Sequence, residues 1–124
     1  MDINIVIGGC RNYNDYDYFF NSVHYYLSSV CSKYDIVIIS GGCRGTDKLA
    51  QRYAFEKGYK FEECVAEWGK YGRSAGPIRN RKMVTKADCV IAFWDGKSKG
   101  TGNLIDFAKE FNKPIRIVMI GNYS

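Results

Sequence analysis

The sequence predicts an α/β fold: a Rossmann-like, doubly wound parallel sheet of five strands with helices on both faces. Short apolar runs alternate with longer stretches of helical periodicity along the whole chain. Such alternation implies right-handed βαβ crossovers and a parallel sheet that is covered on both sides. No linker or low-complexity segment interrupts the 124 residues, so residues 1–124 are predicted to form a single domain.

Two strand–helix units are predicted in the first half of the chain. In order they are a strand at Asn4–Ile7, a helix from about Asp15 to Lys33, a buried strand at Ile36–Ile39, and a helix from Thr46 or Asp47 to Lys57. Asn14 is the expected cap of the first helix, and Gly58 ends the second. The tyrosines near the first helix are expected in the core or in a subunit contact, although Tyr13 is also placed to stack on a base.

Three further strands are predicted in the second half. The three strands are predicted at Tyr59–Val65, Asp88–Trp94 and Ile115–Ile120, and the middle one is buried. An irregular stretch at Ala66–Gly76 and a helix with Pro77 in its first turn, ending at about Ala87, separate the first two strands. A glycine loop at Asp95–Asn103 and a helix ending near Asn112 separate the last two. Proline suits the first turn of a helix because the N–H group it lacks has no partner there.

Glycine-rich turns follow strands one, two and four. They are Gly8–Arg11, Gly41–Asp47 and Ser98–Asn103. The carboxyl ends of parallel strands border the crevice where ligands bind, so we expect these turns to meet at one sheet edge. A strand that leads through glycine into a helix N-terminus suits a phosphate, although a tight turn alone also needs glycine. The G-x-G-x-x-G and Walker patterns are absent, which excludes ordinary NAD dehydrogenases and P-loop NTPases.

The candidate ligand-binding residues come from these turns and from the irregular stretch. They are Gly9, Arg11, Gly41, Gly42, Arg44, Gly45, Thr46, Asp47, Trp68, Arg73, Arg79, Asn80, Ser98, Gly100, Thr101 and Asn103. Asp47 has two open interpretations, a helix-capping charge or a partner of a ribose hydroxyl. Trp68 or Tyr71 is expected to stack on a base, and the alternative is that both only cover the sheet edge. Arg79 is expected on the opening turn of its helix, free to clamp a phosphate, so that Arg79→Ala weakens binding and leaves the fold intact.

Cysteine and hydropathy patterns exclude several classes of protein. The five cysteines form no C-x-x-C pair, so we predict no disulfide framework, metal site or cofactor. Cys31, Cys64 and Cys89 are expected in the core, and the single histidine, His24, lies on a helix rather than beside a cysteine nucleophile. No apolar run is long enough for a membrane span and no signal peptide begins the chain, so a cytoplasmic protein is predicted.

Three segments together resemble a known superfamily. They are Gly41–Asp47, Trp68–Val84 and Ala87–Thr101. In this order they resemble the SLOG superfamily, specifically its small single-domain branch related to YspA and YpsA. The resemblance implies a Rossmann-like fold, a dimer, and a nucleotide or an NAD- or ADP-ribose-derived ligand that the protein senses or sequesters.

An alternative function comes from a better-known relative, the LOG phosphoribohydrolases, which cleave the N-glycosidic bond of nucleoside monophosphates. Arg79 or Arg81 resembles their arginine, and Gly100–Thr101 resembles their Gly-Thr pair. Where that family carries carboxylates, this chain has Asn103 and Leu104, and an amide activates water poorly. The remaining candidate catalytic acids are Asp95 and Asp106.

A nucleic-acid-binding module is the third hypothesis. The net charge of +5, the aromatic content of 15% and a DNA-processing relative in the same superfamily favour it. The dispersal of the lysines and arginines, with no basic helix or tail, speaks against it.

Overall fold

The computed structural model of the chain describes residues 1–28 and 33–121. Its elements in order are β1 (Asp2–Gly9), α1 (Tyr16–Leu27), β2 (Asp35–Ser40), α2 (Thr46–Lys57), β3 (Lys60–Glu63), α3 (Trp68–Tyr71), a 3-10 turn at Gly72–Ser74, α4 (Ala75–Lys86), β4 (Cys89–Trp94), α5 (Lys99–Glu110) and β5 (Ile115–Met119).

The strands form one five-stranded sheet in the order β3-β2-β1-β4-β5, and every pairing is parallel. The central strand β1 pairs on both sides, with Val6 opposite Ile39 of β2 and opposite Val90 of β4. The α/β fold with a parallel five-stranded sheet is therefore confirmed. Because β1 lies in the middle, the turn that follows it is flanked by the turns after β2 and β4.

Alternate residues of β1 enter two separate cores. Ile5 and Ile7 pack with α1 and α2 side chains such as Phe19 and Tyr53. Val6 points the other way and joins a second cluster with Met83 and Leu104 of α4 and α5, among others. Full burial of one such side chain contributes about 1.5–3 kcal/mol. Apolar residues on both faces of the sheet thus hold the helices in two layers, as the sequence predicts.

Helix α1 is shorter than predicted and has a different cap. Asp15, rather than Asn14, is the N-cap, and its carboxylate accepts the N–H of Tyr18 at 3.1 Å. The helix ends at Leu27 instead of Lys33, and the Ser28 hydroxyl donates to the carbonyl of Tyr25. A serine bonded to the backbone in this way competes with continued helix. The predicted burial of Cys31 lies outside the described residues.

The stretch predicted as irregular contains α3 and the 3-10 turn, and α4 begins at Ala75, two residues before Pro77. Pro77 still lies in the first turn, where its lack of an N–H costs nothing. Helix α5 begins at Lys99, so most of the last predicted glycine loop is helical. The third, fourth and fifth strands differ from their predicted bounds only at their ends.

Tyr13 belongs to the core, contrary to a role in stacking on a base. Its side chain is 1% exposed, and its ring stacks on Phe93 of β4 with the centroids 5.6 Å apart. A long-range contact therefore places it, which the local sequence does not indicate. His24 is exposed on α1, as expected, whereas Cys64 and Cys89 are only half-buried.

Candidate functional site

The turns after β1 and β2 and the start of α5 meet at the carboxyl edge of the sheet and enclose a cavity of about 400 Å³. We call this space the main cavity. Its lining residues are Gly8, Gly9, Cys10, Arg11, Asn12, Cys43, Arg44, Asp47, Arg79, Asn80, Met83, Ser98, Gly100, Thr101 and Leu104. A volume of this size lies within the range of small-molecule sites.

Most of the predicted binding residues contribute to the main cavity. Those that line it are Gly9, Arg11, Arg44, Asp47, Arg79, Asn80, Ser98, Gly100 and Thr101. Others belong to the same turns without lining it, namely Gly41, Gly42, Gly45, Thr46 and Asn103. Trp68 lines a neighbouring cleft with Arg11 and Arg44, whereas Arg73 is exposed and lines neither space.

Two apolar residues of the cavity lining, Met83 and Leu104, were not predicted from the sequence. Met83 lies four residues after Arg79 on α4, and Leu104 lies four residues after Gly100 on α5. Residues spaced by four share one face of a helix, so this spacing was the available signal. They give the cavity an apolar side opposite its polar turns.

The turn after β2 is tied to the turn after β1. The backbone N–H and the hydroxyl of Thr46 both donate to the carbonyl of Cys10, at 3.2 Å and 3.0 Å. Gly45 has a φ of +73°, and a Cβ there would collide with the carbonyls of Arg11 and Cys10. Contact with the protein's own backbone, rather than with a ligand, explains why glycine is required at this position.

Asp47 closes the N-terminus of α2. One carboxylate oxygen accepts from the Ser40 hydroxyl at 2.9 Å, and the other accepts from the N–H of Cys43 at 3.0 Å. Burial raises the pKa of Asp47 above its usual value, and these bonds together with the nearby Arg79 offset only part of that effect. Neither bond is to an N–H group of α2, so the carboxylate ties the end of β2 and the turn to the helix, while its charge lies in the first turn of α2.

Arg79 also serves the turn after β2. It lies on the second turn of α4, not the opening one, and is 9% exposed. Its guanidinium donates to the carbonyl of Gly41 at 2.8 Å and to the side-chain oxygen of Asn80 at 2.9 Å. A Cβ at Gly41 would collide with this guanidinium. The expectation of a free guanidinium is therefore corrected, because Arg79 fastens α4 to the turn that Asp47 caps.

The N-terminus of α5 is open by contrast. Neither α2 nor α5 has a side-chain cap bond, but the first turn of α5 carries no acidic residue whereas that of α2 carries Asp47. A Cβ at Gly100 would meet nothing within 4 Å. The exposed residues Lys97 and Lys99 flank the helix start. An uncapped helix start beside cationic side chains, open to a cavity, favours an anion.

Hydrogen bonds hold this helix start in position. The carboxylate of Asp95 accepts from the N–H groups of Lys97 and Ser98 at 2.9 Å and 2.8 Å, and the indole N–H of Trp94 donates to the Ser98 carbonyl at 3.0 Å. The amide of Asn80 donates to the carbonyl of Gly100 at 3.2 Å and to the side-chain oxygen of Asn103 at 3.0 Å. Asn80 thereby joins α4 to α5 across the cavity.

The candidate catalytic acids do not line the cavity. Asp95 is buried and holds the turn before α5, and Asp106 is exposed. Among the described residues that line the cavity, Asp47 is the one carboxylate, and its oxygens are already bonded. The described part of the cavity lining therefore contains no carboxylate other than this bonded one.

The described cysteines differ in burial, and Cys43 is the partly exposed one among those that line the main cavity. Cys10 is buried, and burial raises the pKa of its thiol. Over residues 1–28 and 33–121 the cysteines are free, and no three His, Cys, Asp or Glu side chains group closely enough to hold a metal ion.

Within the same ranges no helix has both the length and the apolar character needed to cross a membrane.

Two sequence comparisons identify relatives. The model of the YAcAr family, described as the YspA, cpYpsA-related SLOG family, matches residues 3–71. The Gene 61 protein of Mycobacterium phage D29 is 36% identical over 90 residues, which cover 68% of this chain and 72% of that protein. These matches confirm the SLOG resemblance seen in the sequence.

Solved structures share the fold. TM1055 matches with a TM-score of 0.67 and 17% identity, over 91% of this chain and 72% of its own. DNA processing protein A from Helicobacter pylori, whose structure was reported for a single-stranded DNA binding mode, matches with a TM-score of 0.69 and 19% identity, over 93% of this chain and 64% of its own. DNA processing protein A from Streptococcus pneumoniae matches with a TM-score of 0.70 and 17% identity, over 93% of this chain and 50% of its own.

Proposed function

The chain belongs to the YspA, cpYpsA-related SLOG family, and from that premise we propose that it is a nucleotide-binding module. In this proposal the main cavity takes a phosphate-bearing nucleotide or an NAD- or ADP-ribose-derived molecule, with a phosphate at the N-terminus of α5. The module senses or sequesters its ligand instead of hydrolysing it. A cytoplasmic location and a homodimer remain part of the proposal.

The observation that carries this proposal is the open start of α5 inside the main cavity. The backbone can approach a ligand closely at Gly100, because no side chain or neighbouring atom fills that space. Thr101 lies one residue further on and also lines the cavity, and its hydroxyl donates to the hydroxyl of Ser98 at 3.4 Å. Such a site binds phosphate through the N–H groups and the helix dipole together.

The polar and apolar walls suit the remainder of a nucleotide. Arg11 and Arg44 are exposed at the mouth and attract an anionic ligand. Met83 and Leu104 add apolar atoms to the lining, although each side chain is only 2% exposed. Ligand sites of this kind combine apolar walls with a few placed polar groups.

A nucleic-acid-binding module is the second candidate function. The observation that favours it is the exposed Trp68, whose ring lies 6.0 Å from the guanidinium of Arg11 and beside Arg44. Aromatic rings next to arginines form stacking platforms for single strands. Glycosidase activity receives no comparable support, since no lining acid is free to act on a ligand.

Thermal unfolding with a ligand series tests the proposal. AMP, ADP, ADP-ribose and NAD⁺ are compared with adenosine, which has the same base and sugar without phosphate. Free ligand at about a hundred times its Kd adds roughly 2.7 kcal/mol to the stability of the folded state. We expect stabilisation by at least one phosphate-bearing compound and none by adenosine. Equal shifts with adenosine, or no shift with any compound, would contradict the phosphate site.

Salt dependence separates the two candidate functions. Binding to a single-stranded oligonucleotide falls steeply between about 50 and 200 mM salt, because several phosphate contacts release counterions. A mononucleotide held in the cavity makes fewer phosphate contacts and should respond less. If an oligonucleotide binds more tightly than every mononucleotide and shows the steep dependence, the second candidate is correct.

A further inference from the structure

A second space adjoins the main cavity. This cleft has a volume of about 480 Å³ and is lined by Arg11, Cys43, Arg44 and Trp68. Three of these residues, Arg11, Cys43 and Arg44, also line the main cavity. The two spaces are therefore neighbours that share a boundary, and the side chains at that boundary are mostly cationic.

Trp68 provides the cleft with an aromatic surface that is both accessible and positioned. It is 47% exposed and begins the short helix α3. Its ring lies over Gly76 of α4, where a Cβ would come within 3.3 Å of the ring. The guanidinium of Arg11 lies 6.0 Å from the ring centroid on the cleft side of the shared boundary. A planar ring has room to stack on such a tryptophan.

The two boundary arginines are available to a ligand. Arg11 and Arg44 are both exposed, and within residues 1–28 and 33–121 neither forms an ion pair with a carboxylate. The other arginine of the site, Arg79, is bonded to Gly41 and Asn80. An anionic group that passes from the main cavity to the cleft would therefore meet two guanidinium groups without carboxylate partners, one of which, Arg11, lies over the Trp68 ring.

The main cavity has what one nucleotide unit needs without the cleft. It contains the open start of α5 and the apolar surface of Met83 and Leu104, and its volume of about 400 Å³ is already that of a small-molecule site. A mononucleotide would leave the cleft empty. The cleft, with its own aromatic surface, thus provides room for a second unit.

We propose that the ligand is a two-part molecule, two nucleotide-like units joined through phosphate. One unit occupies the main cavity, the phosphate link lies between Arg11 and Arg44, and the planar ring of the second unit stacks on Trp68. This inference rests on the proposed function, because it requires that the main cavity binds a nucleotide. It adds the chemical class of the ligand and the residue that selects it.

The test compares AMP with its pyrophosphate-linked dimer, P1,P2-di(adenosine-5′) pyrophosphate, by titration calorimetry. We expect the dimer to bind the unaltered protein at least about ten-fold more tightly, since stacking of one base contributes on the order of 1–3 kcal/mol. Trp68→Ala should remove this advantage and leave the affinity for AMP unchanged. Trp68→Phe should retain most of it, because phenylalanine still offers a ring.

Tyr71→Ala is the matched control. Tyr71 is an exposed aromatic residue at the other end of α3 and lines neither space. Its removal should change neither affinity, and the thermal midpoints of the variants establish that each is folded.

Several outcomes would overturn the inference. If Trp68→Ala weakens AMP and the dimer equally, the base of a single nucleotide occupies the cleft. If AMP binds and the dimer has no advantage, the cleft is not a ligand subsite. A DNA trinucleotide that binds more tightly than the dimer, with a steep salt dependence, would identify a single strand as the occupant. If neither AMP nor the dimer binds, the proposed function itself fails.

Discussion

Two helices begin at the main cavity, α2 and α5, and each follows a strand and a glycine turn. At α2 the turn is closed by the protein's own groups, because Asp47 accepts from the turn and Thr46 donates to Cys10. Neither helix has a side-chain cap bond, but α5 carries no acid in its first turn and the space at Gly100 is open. The same pattern of residue types therefore serves the fold at one helix and leaves the other helix start open to the cavity, where we propose that a phosphate binds.

The difference arises from what faces the first N–H groups of each helix. A carboxylate in the first turn satisfies the positive end of the helix dipole, and an incoming phosphate would meet its negative charge. Helix α2 carries Asp47 in its first turn, whereas α5 has no acid in its first turn and the nearby Asp95 carboxylate bonds the N–H groups of Lys97 and Ser98 ahead of the helix. Glycine content alone thus does not identify a phosphate site, and an acid at the second helical position argues against one.

Arg79→Ala provides the strongest test of the closed side. The substitution removes donors to Gly41 and Asn80 and leaves the buried Asp47 without its nearby cation. We expect a loss of about 3 kcal/mol in the free energy of unfolding, measured by urea titration, since charged hydrogen bonds contribute roughly 1.5–3 kcal/mol. Arg79→Lys should recover only part of the lost free energy of unfolding, because lysine cannot form the forked contact.

Arg81→Ala is the control for this change, as Arg81 is exposed on the same helix. Surface substitutions of this kind usually change stability by less than about 0.5 kcal/mol. Unchanged stability in Arg79→Ala together with a loss of nucleotide affinity would mean that the guanidinium acts on the ligand and not on the turn.

Gly45→Ala tests the contact between the two turns. Alanine at a φ of +73° is strained, and its Cβ would also meet the carbonyls of Arg11 and Cys10. We expect a loss of about 2–3 kcal/mol in the same titration. Gly58→Ala isolates the strain, because Gly58 has a φ of +72° and nothing within 4 Å of a Cβ. Equal losses at both positions would show that the contact contributes nothing.

Gly100→Ala tests the open side. Its methyl group would meet no protein atom within 4 Å, so stability should stay the same or rise by up to about 1 kcal/mol. Nucleotide affinity should fall by about ten-fold, because the phosphate can no longer approach the backbone. Gly102→Ala lies on the same turn outside the cavity lining and should leave the affinity unchanged. A Gly100→Ala protein with full affinity would remove α5 from the site.

The smallest expected effect is a change in pH dependence at Asp47. The hydroxyl of Ser40 lies 2.7 Å from the carbonyl of Ile7 and 2.9 Å from Asp47, and its single hydrogen serves one acceptor at a time. A proton on Asp47 would supply the second bond. Because burial raises the folded-state pKa of Asp47 above its ordinary value near 3.8, the protonated acid stabilises the fold, and this contribution is lost as pH rises through the folded-state pKa.

Asp47→Asn mimics the protonated acid, since its amide donates to Ser40 and its carbonyl accepts from Cys43. Urea titrations between about pH 4 and pH 8 should show that the variant lacks the loss of stability seen in the unaltered protein. Its advantage should appear as pH rises and reach on the order of 1 kcal/mol. A variant that is less stable at every pH would mean that Asp47 is needed as a carboxylate.

The order of strands and helices could be predicted because it depends on local patterns. The apolar run before each glycine turn, such as Ile36–Ile39, is sufficient to indicate a buried strand. The edge at which the turns meet then follows from the parallel topology. Most of the lining residues could be named in advance for this reason.

The roles of individual residues could not be predicted where a distant contact decides them. The guanidinium of Arg79 occupies the space that a side chain at Gly41 would fill, and these residues are 38 positions apart. Tyr13 stacks on Phe93 of β4 in the core and therefore does not line the site. The spacing of residues indicates the periodicity within one helix or strand. It does not indicate which side chain of that element will fill a space beside a different element.

The central position of β1 also determines how the chain can fold. Ile5 pairs with Ile38 on one side and with Cys89 on the other, so its second neighbour arrives 84 positions later in the sequence. Contacts of such separation are slow to form, because a long loop must close before they contribute. During synthesis the ribosome releases β1 and β2 long before β4, and one edge of β1 stays unpaired until then. The protein is therefore most exposed to strand-to-strand aggregation while only its N-terminal half has been synthesised.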